Sequence, residues 1–306
     1  MGKKFSGVSQ TMSRFRGWIQ AGATLLTNLH LPNFFKGGLY QGTGKTVCVP
    51  GLNCYSCPAA SGACPIGAFQ AVVGSSKFSF SYYITGFLIL LGVLLGRFIC
   101  GFLCPFGWFQ ELLHKIPTKK LSTKKLKPLT YLKYAVLLVM VFLLPAFLVN
   151  DVGMGDPFFC KYLCPQGVLE GAIPLSLANS GIRAALGKLF TWKFSILLSV
   201  ITLSVVFYRP FCKWLCPLGA FYALFNRVSL FQMKVDRNKC VSCGKCAKAC
   251  KMDVDVTKTP NHTECIRCGM CIRACPTNAV SFRYGFGDGK KEPVKPADKL
   301  KTEETK

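Results

Sequence analysis

CVSCGKCAKACKMDVDVTKTPNHTECIRCGMCIRACP, residues 240–276, decides how this chain is read. It holds two runs of four cysteines: Cys240, Cys243, Cys246 and Cys250, then Cys265, Cys268, Cys271 and Cys275, with Pro276 after the last. Each run has the spacing C-x2-C-x2-C-x3-C, the ligand spacing of bacterial two-cluster [4Fe–4S] domains. Three thiolates on one tight loop can ligate three irons of one cubane, and the fourth reaches the other cluster. The expected sets are therefore Cys240, Cys243, Cys246 and Cys275 for one cluster, and Cys265, Cys268, Cys271 and Cys250 for the other. Lys251 stands where a proline often follows the fourth cysteine, which shifts the turn and not the ligand. Zinc sites use CxxC pairs with a longer gap, so the doubled pattern favours iron–sulfur over zinc or a disulfide knot.

Outward from this module the composition changes. The chain has 306 residues, is 51% hydrophobic and carries 38 Lys+Arg against 13 Asp+Glu, a net charge of +25. The cations are spread over loops beside apolar segments, the positive-inside pattern of a membrane protein. That spread argues for the lipid bilayer and against nucleic acid as a partner. Residues 80–103, 131–149 and 190–208 each approach the ~20 apolar residues that cross a hydrocarbon core of ~30 Å. A weaker fourth stretch runs from Trp18 to about Phe35, and residues 210–232 read as an interfacial or re-entrant helix.

Lys and Arg in the N-terminal segment, in 115–127 and after 209 place these regions in the cytoplasm, with 36–79 and 150–189 outside. The predicted fold class is an α-helical polytopic membrane protein of about four transmembrane helices, internally duplicated, with a C-terminal α+β bacterial-type 2×[4Fe–4S] ferredoxin domain. The expected domains are a basic cytoplasmic N-terminus (1–16), a membrane domain (17–232), the ferredoxin domain (233–284) and a disordered tail (285–306). Both termini and the ferredoxin domain would lie on the cytoplasmic side of a bacterial plasma membrane.

A second signal is a four-fold repeat of Cys-Pro-x-Gly: ACPIGAFQ at Cys64, LCPFGWFQ at Cys104, LCPQGVLE at Cys164 and LCPLGAFY at Cys216. Cys100, Cys160 and Cys212 each precede a copy by four residues; the Cys64 copy is preceded instead by Cys48, Cys54 and Cys57. On the predicted topology the copies alternate sides, Cys64 and Cys164 outside, Cys104 and Cys216 inside, as in a duplicated unit. Paired motifs supply four thiolates. The expected inner site is Cys100, Cys104, Cys212 and Cys216; the expected outer site is Cys57, Cys64, Cys160 and Cys164, with Cys54 as the substitute for Cys57. Buried thiolates are costly as free charges, and a bound metal removes that cost. The competing readings are disulfides for the outer cysteines and thiol–disulfide exchange for the inner ones.

Other residues are read more plainly. Arg97 and Arg209 either snorkel to the interface or compensate a thiolate-bound cluster. Trp18 and Gln20 belong to an aromatic belt or to a quinone pocket. His30 and His114 are interfacial polar groups or cofactor contacts. His262 and Asp253 read as a solvated loop.

With RFRGWIQ (14–20), CGFLCPFGWFQ (100–110), CKWLCPLGAFY (212–222) and the doubled cysteine pattern in hand, the chain resembles the NapH/NosR-type membrane-bound ferredoxin family over about residues 14–283. The resemblance implies a four-span protein that passes electrons between membrane quinol, or a cytoplasmic donor, and an extracytoplasmic redox protein such as a flavoprotein, cytochrome or reductase. It would be an electron-transfer component of an oxidoreductase system, with no catalytic residue of its own. Its cofactors would be two [4Fe–4S] clusters, one or two further iron–sulfur clusters in the membrane domain, and a quinone. The outer cysteines depart from the simplest family pattern. The alternatives are a quinol dehydrogenase subunit with the ferredoxin clusters alone, and a redox-sensing or maturation protein that uses the C-x3-C thiols.

Overall fold

The computed structural model describes residues 2–75, 81–151 and 153–285. The tail expected to be disordered lies outside the described residues, apart from Gly285. Among the described residues two helices are long and apolar enough to cross a membrane, Leu126–Phe147 and Lys188–Val206, of 22 and 19 residues. Only 28% and 17% of their apolar windows are buried, and Phe147, Leu138, Trp192 and Leu198 stand exposed. Apolar surface on this scale calls for lipid or a partner.

The other two expected spans take different forms. The stretch 80–103 is divided. Helix Tyr82–Leu95 has 14 residues, about 21 Å at 1.5 Å per residue. It stops at Gly96, whose φ of 54° only glycine adopts freely, and a short buried helix, Phe98–Phe102, follows. The stretch from Trp18 is divided by Pro32 into helices Arg16–Thr27 and Asn33–Lys36. The re-entrant segment is two short, largely buried helices, Pro210–Trp214 and Pro217–Phe225.

The ferredoxin domain is built on strands β1 (Phe231–Val235) and β2 (Val280–Tyr284), antiparallel, with Met233 opposite Phe282. Its core includes Met233, Ile272 and Phe282 and is continuous with Phe98 and Phe102 of the membrane domain. The N-terminal arm is part of this body. Helix Gly2–Arg14 lies on β2, where Ser9 Oγ accepts from Phe282 N at 3.0 Å, and on the Gly269 turn, where a Cβ would sit 2.5 Å from Ser13 Cβ.

Buried charges close this joint. Glu264 pairs with Arg97 Nη1 at 2.9 Å and with Lys133, both fully buried. Arg267 donates to Leu95 O at 2.8 Å and to Asn226 O at 2.6 Å. Asn226 Nδ2 donates to His262 O and Cys265 O, and Lys213 reaches Asp253 at 3.0 Å. Asp253 and His262 are therefore interface residues, not a solvated loop. Burial, then the cations Arg227, Arg97 and Lys133, hold His262 below its ordinary pKa against the pull of Glu264. Its ring Nδ1 accepts from Glu264 N at 3.0 Å. Glu264→Gln should leave two buried cations uncompensated, a loss of about 3–5 kcal/mol at the joint. Hydrogen exchange over residues 262–268 would report it; unchanged protection would show that the pairs contribute nothing.

Candidate cysteine centres

The Cys-Pro-x-Gly repeat has a local cause. Cys64, Cys104 and Cys216 are each extended N-cap residues of a helix that opens on proline. Proline suits that position because its missing N–H would have no partner there. In the Cys216 copy the Gly219 N–H, two residues after the proline, donates back to the cysteine sulfur at 3.3 Å, and Gly67 and Gly107 stand in the same place beside Cys64 and Cys104. Cys164 stands before the helical turn Gly167–Ala172, beside Gly167. A helix N-terminus carries partial positive charge and favours thiolate. Each motif is thus a cradle for a sulfur anion.

The four cradles meet in two groups. Cys100, Cys104, Cys212 and Cys216 are all buried and lie within electrostatic reach of one another. The two halves grip each other reciprocally. Arg97 Nη2 donates to Cys212 O at 3.5 Å, and Arg209 Nη1 donates to Cys100 O. Neither arginine snorkels, since both are fully buried. Arg209 is paired with Glu111 at 2.9 Å. Gln110, six residues after Cys104, donates its amide to Cys212 Sγ at 3.2 Å.

The second group differs from expectation in one member. Cys160 is coupled to Cys164, Cys64 and Cys54, and Cys54 to Cys164 and Cys64. Cys57 turns to Asn28 Oδ1, 3.6 Å away, and its strongest charged neighbours are Glu170 and Lys45. The structure therefore gathers Cys54, Cys64, Cys160 and Cys164, with Cys57 behind them. Gln70 takes the place of Gln110, donating to Cys160 Sγ at 3.2 Å. Glu170 accepts from Cys54 N at 3.0 Å. Cys48 lies near Cys64.

The two groups are neighbours in one core. Loop 48–54 enters between them. It is bonded beside Cys64, where Val49 N donates to Ala63 O at 3.0 Å, and two residues on it reaches Cys104. Gly51 presses on the same place, its absent Cβ 2.8 Å from Cys104 Cα. Tyr222, in reach of Cys100, Cys104, Cys48 and Cys64, ties the loop down by donating to Pro50 O at 3.0 Å. The physical reason is helix length. Helices Pro65–Gly74 and Tyr82–Leu95 rise only about 15 and 21 Å, and Cys64 and Cys100 share one core.

In the ferredoxin domain one cavity is lined by Cys240, Cys243, Cys246 and Cys275, and another by Cys265, Cys268, Cys271 and Cys250. In each cavity the fourth cysteine comes from the other run. The second lies against the Cys100 group: Gly101 meets Ile266 O, 2.3 Å from where a Cβ would stand, with Cys268 N at 3.7 Å.

The donor sets fit iron–sulfur clusters. All eighteen cysteines are free. Among the described residues no three Cys, His, Asp or Glu side chains close around a single metal ion. Cluster ligands are spread over several irons. Amide N–H groups aimed at sulfur, as at Cys160 and Cys212, are a recognised means of tuning such clusters. Sequence reading missed Gln70 and Gln110, although the signal was there: both motifs end in Phe-Gln, six residues after the cysteine. The bridging loop had no comparable signal.

Comparison with known proteins agrees with this donor chemistry. A 4Fe-4S binding domain family, Fer4_5, matches residues 62–82, 79–124, 133–173 and 189–238. A second 4Fe-4S binding domain family, Fer4, matches 233–254 and 259–281. The uncharacterized protein MJ0750 of Methanocaldococcus jannaschii is 32% identical over 209 residues, 65% of this chain and 77% of that protein. The methylamine utilization ferredoxin-type protein MauN of Paracoccus denitrificans is 28% identical over 189 residues, 61% of this chain and 56% of its own. The ferredoxin-type protein NapH of Haemophilus influenzae is 28% identical over 150 residues, 36% and 52% respectively. No solved structure matches.

Proposed function

Because the chain belongs to the NapH/NosR-type family of ferredoxin-type 4Fe-4S proteins, we propose that it is a membrane-bound iron–sulfur electron relay with four cysteine-held sites. It would connect a cytoplasmic or quinone-pool donor to an extracytoplasmic redox partner. Two sites are the ferredoxin sets; the others are Cys100, Cys104, Cys212 and Cys216, and Cys54, Cys64, Cys160 and Cys164. Bound clusters supply one-electron chemistry at each. The protein's own residues space, insulate and tune them. Helix N-termini and the amides of Gln70 and Gln110 favour the sulfur anions. Arg97 and Arg209 offset charge in a dry interior, where an unpaired charge would be expensive. About four spans would hold the domain in the bilayer, the two short helical pairs acting as broken spans, which are tolerated where they line a protein interior.

The observation that carries the reading is continuity. Gly101 joins the Cys268 loop to the Cys100 group, and the loop through Val49, bonded to Ala63 O, and Gly51, pressed on Cys104, joins that group to the Cys64 group. Iron and acid-labile sulfide measured anaerobically on the purified protein test it. About sixteen irons per chain are expected for four loaded [4Fe–4S] sites, and about eight would confine clusters to the ferredoxin domain.

A cavity of about 210 Å³ favours the quinol-linked alternative as the place where electrons enter. Its lining includes Arg16, Gln20, Trp108, Glu111 and Cys268, and helix Arg16–Thr27, which supplies Arg16 and Gln20, also carries the exposed apolar residues Trp18, Leu25 and Leu26. A quinol-linked subunit with only ferredoxin clusters would show the lower iron content.

A further inference from the structure

The two cysteine runs are internal copies, CVSCGKCAKAC (240–250) and CIRCGMCIRAC (265–275), with the same backbone. Ser242 and Arg267 have φ of 51° and 52°, Gly244 and Gly269 of 70° and 78°. The copies differ in what the loop presents. In the second, Ile266 and Arg267 are buried against the membrane domain; Arg267 holds Leu95 O and Asn226 O, and Ile266 O meets Gly101. In the first, the matching Val241 and Ser242 are exposed, as is the ligand Cys243. Around them stand Lys239, Lys245 and Lys248, all exposed. Lys245 takes the place of Met270 in the second copy. The nearby acids are few: Asp236, 3.7 Å from Lys239, and Asp255, which is bonded to Thr257. Helix Gly2–Arg14 covers β2 and the second copy's helix.

We propose that the loop around Cys240 and Cys243, with Lys239, Lys245 and Lys248, is the docking face for an acidic soluble one-electron carrier protein. The second copy demonstrates what this loop does when it has a partner: it seats a cluster ligand against another backbone. The first copy keeps the same shape and replaces its apolar anchors with cations. Complementary charge steers such encounters and makes them fast and salt-dependent. In the exchange one electron leaves the carrier, which is oxidised, and is gained at the Cys240 site. No proton or leaving group moves, and the reverse balance holds for the opposite direction. The inference rests on the electron-transfer reading of this chain, but not on the membrane-domain sites.

The test uses the full chain in nanodiscs of neutral lipid and an acidic plant-type [2Fe–2S] ferredoxin as probe. Binding is measured by titration at about 20 and 500 mM salt, which spans Debye lengths from above 20 Å to below 5 Å. The expected result is an affinity that falls at least about tenfold with salt and by a similar factor in the Lys239→Glu, Lys245→Glu, Lys248→Glu variant. The single Lys→Gln variants should show graded losses. The cluster absorption of each variant certifies its fold. No binding to the wild type, or binding that survives both salt and charge reversal, would overturn the proposal. So would a charge reversal that alters only adsorption to anionic vesicles, since the face would then serve lipid headgroups. An iron count of eight would refute the membrane-domain sites and leave this result untouched.

Discussion

Cys54→Ser should remove about four irons per chain, the content of one cubane, whereas Cys57→Ser should leave iron unchanged. The two cysteines are three residues apart, and spacing alone cannot rank them. Placement can. Cys54 is in reach of Cys64, Cys160 and Cys164, and a Cβ on Gly167, beside Cys164, would stand 3.8 Å from its Sγ. Cys57 faces Asn28, which is itself held by Asn53 Nδ2 at 3.2 Å. Serine keeps the shape of either residue but is a poor thiolate substitute, so only a true ligand should register. The EPR signals of the ferredoxin pair should persist in both variants. Equal iron loss in the two would show that the second group is drawn wrongly. No loss in either would leave those cysteines as thiols, and the continuity from Gly101 would end at Cys104.

The same pair shows what the sequence could and could not convey. The grouping of the eight ferredoxin cysteines was legible from their fixed spacing, since the same two sets line the two cavities. The pairing of Cys100 and Cys104 with Cys212 and Cys216 was legible too, because a duplicated motif implies a two-fold arrangement. The other group lacks that symmetry. Its first half has Cys54 on an irregular loop where the other motifs have a cysteine four residues before Cys-Pro, and loop conformation leaves no periodic trace. The division of one expected span was hidden for a related reason. Hydropathy reports that 80–103 is apolar, but a buried protein interior and a bilayer select the same residues. The break at Gly96 is a matter of one backbone angle. Buried charges were the least legible. Arg97 and Arg209 admit a snorkelling reading until Glu264 and Glu111 are placed beside them, and nothing in the sequence signals that Lys133 meets Glu264 or that Arg267 meets the carbonyls of Leu95 and Asn226.

Gly101→Ala should separate the ferredoxin domain from the membrane sites while every cluster stays loaded. In most short helices the exchange would help, since alanine is favoured over glycine by about 1 kcal/mol. Here the added Cβ would lie 2.3 Å from Ile266 O and 3.7 Å from Cys268 N. The obstacle is backbone, so no side chain can swing aside, and the loop must withdraw by about 1 Å to reach ordinary contact. Overpacking of this kind costs about 1–3 kcal/mol. The Gly101 carbonyl is also pinned, accepting from Arg16 Nε at 2.9 Å and Gln20 Nε2 at 3.0 Å, so the helix cannot yield instead. The expected readouts are unchanged iron, faster hydrogen exchange over residues 264–268, and a weaker magnetic interaction between the reduced ferredoxin site and its membrane neighbour. Altered iron would mean that the glycine serves assembly of a site, and unaltered exchange would mean that the joint absorbs a methyl group. The prediction isolates one link of sequence to function: a residue with no side chain, beside a cysteine, sets how closely two halves of an electron-transfer protein approach.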